Sequence, residues 1–223
     1  MVVTQVSLAF GLSVAAIVSV IGPVSGGTAI TILITSIIFN TTVTSSEDPP
    51  SPPLPPLHAS PGHINPAVSV GLLAGGQLPL LHCLLYVLSQ CVGATLGAAL
   101  LHAATPAAHR ATLGANALGE VDPWAGLLLE AALTMLLLLV VYSTAVDARR
   151  EVAPGLAPLV IGAAVAAAHL VLVPYTGTSI NPARSLGPAV VGGRWAHHWV
   201  FWAGPLVGGT AGGLLYTHLF HTR

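Results

Sequence analysis

The sequence predicts an all-α, membrane-embedded fold built as an inverted repeat around two half-helices. Three observations predict it. Charged residues make up 6% of the 223 and apolar residues 54%, with a mean hydropathy of +0.83, whereas about 25% of a soluble domain is charged. Several apolar runs reach the roughly 20 residues needed to cross a bilayer. Finally, one short pattern occurs twice. His63-Ile64-Asn65-Pro66-Ala67-Val68-Ser69 is matched 116 positions later by Ser179-Ile180-Asn181-Pro182-Ala183-Arg184-Ser185.

Each copy of the pattern reads as the start of a helix. Proline at the first helical position gives up nothing, because that N–H has no intrahelical partner in any case. Asparagine just before it is a favoured N-cap. The runs that follow, Val68 to Gly75 and Leu186 to Gly192, are too short to cross a membrane. Both lie between longer apolar segments. Two half-helices whose positive N-termini meet at mid-membrane are a signature of transport.

The remaining elements follow in chain order. Thr4 to Pro23 is the first span, and Ser25-Gly26-Gly27 turns the chain. Residues 28–61 are an atypical insert. Thr28 to Phe39 is apolar but too short to span, and Pro49 to Pro61 is a low-complexity, Pro-rich linker. The first half-helix occupies 63–76. The second span occupies 79–104, with Gly93 and Gly97 spaced for close helix contact. A polar loop at 105–123 carries Arg110 and Asn116. The third span, 124–146, contains Glu130, and an ionisable group there is functional or buried by default. Arg149 and Arg150 place the next loop in the cytoplasm by the positive-inside rule. The fourth span is 156–174, and the last is 197–220, with Gly208, Gly209, Gly212 and Gly213 expected on one packing face. Residues 1–223 thus form a single membrane domain with five spans. The second half is complete, whereas the first lacks an opening span.

Other classes of function find no support. There is no nucleophile–base pair, no phosphate-binding loop and no Cys/His metal pattern, so neither an enzyme nor a cofactor is expected. A net charge of −1 gives no reason to expect nucleic acid. Cys83 and Cys91 lie too far apart on one helix for a disulfide and read as small core residues.

The paired Asn-Pro-Ala boxes, the second extended to Asn181-Pro182-Ala183-Arg184-Ser185, resemble those of the aquaporins, or major intrinsic proteins, of the orthodox water-selective type. The resemblance covers most of residues 5–27 and 62–220. It implies a passive channel for osmotically driven, single-file water flow that excludes protons and glycerol. It also implies a multi-pass homotetramer in the lipid bilayer, expected in the plasma membrane, with one pore per chain. On this resemblance Asn65, Pro66, Ala67, Asn181, Pro182 and Ala183 form the pore boxes, and Phe10, His169, Thr178 and Arg184 the selectivity filter. Thr178 stands where many relatives carry a mercury-sensitive cysteine. Glu130 is implied to brace the loop of the second box. Ser185, Ala189 and Phe201-Trp202 fit the water group better than the glycerol group. The family has six spans, so its first transmembrane helix is expected to be missing here. Gly27 and Gly62 would rejoin smoothly without the residues between them, so the insert reads as a retained intron or a lineage-specific loop. Two alternatives are a truncated, non-conducting product and a structural junction protein of the same fold.

Overall fold

The computed structural model describes residues 3–25 and 63–220, apart from 108, 109, 111, 113, 151 and 154. The insert at 28–61 lies outside the described residues. All regular structure among the described residues is helical. Five long helices and two short ones, second and sixth in order, make up the described chain: α1 Val3–Ser25, α2 Pro66–Ala74, α3 Leu80–Ala104, α4 Pro123–Val141, α5 Leu156–Thr176, α6 Pro182–Gly192 and α7 Val200–Leu215. Helices α4 and α7 each continue into a π-helical turn, Tyr142–Val146 and Tyr216–Phe220. Leu80–Ala104, Pro123–Val146 and Leu156–Thr176 are long and apolar enough to cross a membrane.

The half-helices begin where the local chemistry dictates. Asn65 and Asn181 are extended N-caps, each followed by proline in the first turn. The last span starts at Val200 rather than 197, because 196–199 form a turn in which His197 has φ 50°.

Small residues set the packing. Helices α1 and α5 cross through a reciprocal pair. A Cβ on Gly11 would fall 2.6 Å from the Gly162 carbonyl oxygen, and one on Gly162 would fall 2.5 Å from that of Gly11. Ala15 and Ala166, four residues beyond each glycine, complete the contact. The glycines of α7 do not share one face, contrary to the sequence expectation. Gly204, Gly208 and Gly212 lie on the α4 backbone at Leu127, Ala131 and Met135. Gly209 and Gly213 lie on the α2 carbonyls of Ala67 and Gly71. The reason is geometric: neighbouring residues in a helix point about 100° apart, at 3.6 residues per turn. Helix α7 is thus gripped between a span and a half-helix. On α6, Gly187 meets the Ala94 carbonyl of α3 in the same manner.

The core gathers Leu72, Leu138, Tyr142, Val165, Leu172 and Ile180 where the half-helices and spans converge. The outward faces carry leucine, with Leu100 73% and Leu81 65% exposed. An apolar exterior of this kind is what a helix presents to lipid.

Candidate functional site

Helices α2 and α6 meet N-terminus to N-terminus, and the two asparagines lock them together. The Asn65 side-chain amide donates to the Ile180 carbonyl at 2.8 Å, and that of Asn181 donates to the Ile64 carbonyl at 2.9 Å. Their Oδ1 atoms face the other way, into the helix starts. Asn65 Oδ1 accepts from Ala67 N at 2.9 Å, and Asn181 Oδ1 accepts from Ala183 N and Arg184 N at 3.1 and 3.2 Å. A carboxamide has two N–H donors and one oxygen. The oxygen is therefore taken up by capping and one N–H by the cross-brace. One N–H remains on each side chain, and both asparagines line the same cavity of about 270 Å³.

That cavity has a polar strip and an apolar wall. Asn65, Asn181, Arg184 and His169 face Val68, Leu137, Val141, Ile161 and Val165. Phe10 and His169 stack with ring centroids 4.3 Å apart, and the Arg184 guanidinium lies 4.9 Å over the Phe10 ring. His169 Nδ1 is 2.8 Å from the Val165 carbonyl. A carbonyl can only accept, so Nδ1 carries the hydrogen and Nε2 of the neutral ring is an acceptor. Neither His169 Nε2 nor Arg184 Nε has a hydrogen-bond partner among the described residues. An acceptor and a donor are thus left over beside one cavity.

Arg184 is aimed by neutral oxygens. Its guanidinium donates to the Gly114 carbonyl and, at 2.7 Å, to Asn116 Oδ1. Asn116 is itself fixed, donating to the Thr176 carbonyl at 3.1 Å and accepting from Ser185 Oγ at 2.8 Å. Sequence reasoning placed Asn116 only in a polar loop. Its partner lies 68 positions away, and no motif links the two.

The loop before the second box is strained and pinned. Thr178 and Ile180 adopt φ of 57° and 45°, a left-handed conformation that is unusual for β-branched residues. Glu130 holds it there. Its Oε1 accepts from Ser179 N at 2.8 Å and Thr176 Oγ1 at 2.6 Å, and its Oε2 accepts from Ile180 N at 2.7 Å. Gln90 has a comparable position at the first box, donating to the His63 carbonyl at 2.7 Å and to Ser69 Oγ at 3.1 Å. No sequence motif singled it out.

The structure brings Phe10, His169 and Arg184 to one cavity together with the two asparagines. Thr178 is fully buried but is not among the residues that line it. Pro66, Ala67, Pro182 and Ala183 are buried behind the lining and shape the helix starts.

Comparison with known proteins agrees with this architecture. The family model described as Major intrinsic protein matches residues 56–216. Aquaporin TIP4-4 of Zea mays is 50% identical over 165 residues, 74% of this chain and 64% of that protein. Aquaporin-2 of Homo sapiens is 47% identical over 163 residues, 73% of this chain and 60% of that protein. Aquaporin-5 of Sus scrofa is 37% identical over 219 residues, covering 97% and 69%. The chain thus spans less than two thirds of the length of the first two relatives. Among solved structures, the aquaglyceroporin from Plasmodium falciparum shares the fold at a TM-score of 0.65 and 23% identity, covering 73% of this chain and 74% of that one.

Proposed function

Because this chain belongs to the major intrinsic protein family, a family of channels rather than enzymes, we propose that it is a passive water channel that excludes protons and glycerol. The observation that carries the reading is the reciprocal cross-brace of Asn65 and Asn181, which leaves one amide N–H of each for a passing oxygen. A water molecule at that point accepts two hydrogen bonds, so its own hydrogens point away along the tube. The two helix N-termini add positive potential. Waters on either side then turn their oxygens toward the centre, which breaks the hydrogen-bonded wire a proton would need. The same potential opposes cations.

At the Phe10, His169 and Arg184 ring, the Arg184 Nε–H donor and the His169 Nε2 acceptor replace bonds that water loses on entry. Phe10 restricts the width and offers no hydrogen bond. Such a ring suits a molecule the size of water better than a polyol. Four copies, each with its own pore, form the assembly in this reading.

Stopped-flow light scattering of proteoliposomes tests it. The expected result is fast shrinkage under an impermeant osmolyte, no glycerol uptake, and no proton leak reported by an entrapped pH dye. Shrinkage no faster than empty liposomes would overturn the channel reading, and fast glycerol uptake would overturn the water-selective one.

A further inference from the structure

A second cavity, of about 200 Å³, lies away from the pore between the C-terminal ends of α3 and α6. It is lined by His102 from the last turn of α3, Arg110 and Thr112 from the following loop, Gly192 from the end of α6, and Arg194 just beyond. Among the described residues no carboxylate lines it. Among the described residues the one ion pair is that between Arg149 and Asp147, on the opposite side of the membrane. Neither Arg110 nor Arg194 therefore has a counter-charge in the described chain. Arg110 donates from its Nε to the Thr105 carbonyl at 2.9 Å. His102 Nδ1 is buried and has no hydrogen-bond partner among the described residues.

Two helix C-termini at this spot could by themselves account for basic residues. Each carries a partial charge of roughly −0.5. Two guanidiniums outweigh that, and the cavity keeps a net positive charge. At about 30 Å³ per water it has room for several waters, and so for a phosphate group. We propose that this cavity binds an oxyanion of the phosphate class, with Arg110 and Arg194 as bidentate donors and His102 and Thr112 as further hydrogen-bonding groups. Guanidinium forks match phosphate oxygens in geometry as well as charge. The site sits at the non-cytoplasmic interface. Trp195, directly after Arg194, is exposed, and Trp124 and Trp199, which pack edge to face, are exposed at the same end of the bundle, the level at which tryptophans meet lipid headgroups. The anion has two sources there, a phospholipid headgroup or free phosphate.

The experiment uses the full chain in neutral detergent and reads the thermal midpoint together with native tryptophan fluorescence, since Trp195 adjoins Arg194. One arm titrates sodium phosphate against sodium chloride at equal ionic strength. The other adds micelles doped with phosphatidic acid, with phosphatidylcholine as the control. Saturable stabilisation by phosphate supports the site with a free anion as its ligand, and saturation by phosphatidic acid alone supports it with a lipid as its ligand. In either case Arg110→Gln with Arg194→Gln weakens binding by about tenfold or more, because charged hydrogen bonds are lost. The paired Arg→Lys variant keeps the charge and the fold and loses less. If neither probe saturates, or if the Gln pair binds as tightly as the parent, the proposal is overturned.

Discussion

Arg184 is a cation held among uncharged acceptors, and its direction depends on Asn116 and the Gly114 carbonyl. Three predictions belong to this scale. Arg184→Val removes the donor and widens the ring, so glycerol permeability should rise about tenfold while water flux persists, measured by solute-specific light scattering. Asn116→Leu leaves the Arg184 guanidinium and the Ser185 hydroxyl short of an acceptor. It should lower the stability of the purified protein by about 1–3 kcal/mol and loosen glycerol exclusion. Glu130→Gln is expected to be worse for conduction. The carboxylate accepts three hydrogen bonds in the strained loop, and an amide turns one acceptor into a donor facing an N–H. Water flux should fall toward the background of empty liposomes, with a lower thermal midpoint. The box residues were legible in the sequence because their work is local: a cap, a proline and a small residue occupy consecutive positions. Asn116 and Gln90 were not, because each acts on backbone or side chains that are brought near only by the folded chain.

Several helices in this bundle approach backbone to backbone at glycines, and the consequences differ by face. Gly208 lies directly on the Ala131 carbonyl, whereas a Cβ on Gly97 would meet nothing within 4 Å. Gly208→Ala should therefore cost about 1–3 kcal/mol through overpacking, and Gly97→Ala should be neutral or stabilising by about 0.5–1 kcal/mol. Thermal unfolding in detergent distinguishes the two. The sequence showed that α7 packs closely but not that it packs on two sides. A run of paired glycines identifies close approach, and only the 3.6-residue period assigns each partner. The C-terminal ends of α4 and α7 are joined differently. Asp147 accepts from Arg149 at 2.9 Å and from the Tyr216 hydroxyl at 3.0 Å, and Arg149 reaches the Phe220 carbonyl at 3.1 Å. The Arg149 side chain, above all, holds the Asp147 carboxyl well below the usual carboxylate range. A depressed folded-state value means that the stabilisation is present above the unfolded value of about 3.9 and is lost as pH falls through the folded one. Compared with Asp147→Asn, the parent should be more stable at neutral pH, and the difference should vanish in strong acid.

The molecule as a whole keeps the imprint of its repeat. Gly11 and Gly162, which touch reciprocally, are 151 positions apart, whereas Asn65 and Asn181 are 116 apart. The first half therefore carries 35 residues more than the second between its span and its box, one more than the 34 of the insert at 28–61. A chain in which Gly27 is joined directly to Gly62 should conduct water at least as fast as the parent, in the same light-scattering assay. Slower conduction would make the insert a working part of the channel. The fold class was legible because apolar runs and paired boxes repeat in order. The assembly of the site was less so, since its braces run between the halves. That last feature also sets a schedule for biosynthesis. The Asn65 amide is bonded to a carbonyl 115 residues further along the chain. At about 5–20 residues per second, the ribosome takes roughly 6–23 seconds to supply it. For that interval the first box is a polar cap without its partner, inside or beside the insertion machinery. A translational pause between the two boxes would prolong the time that cap spends without its partner.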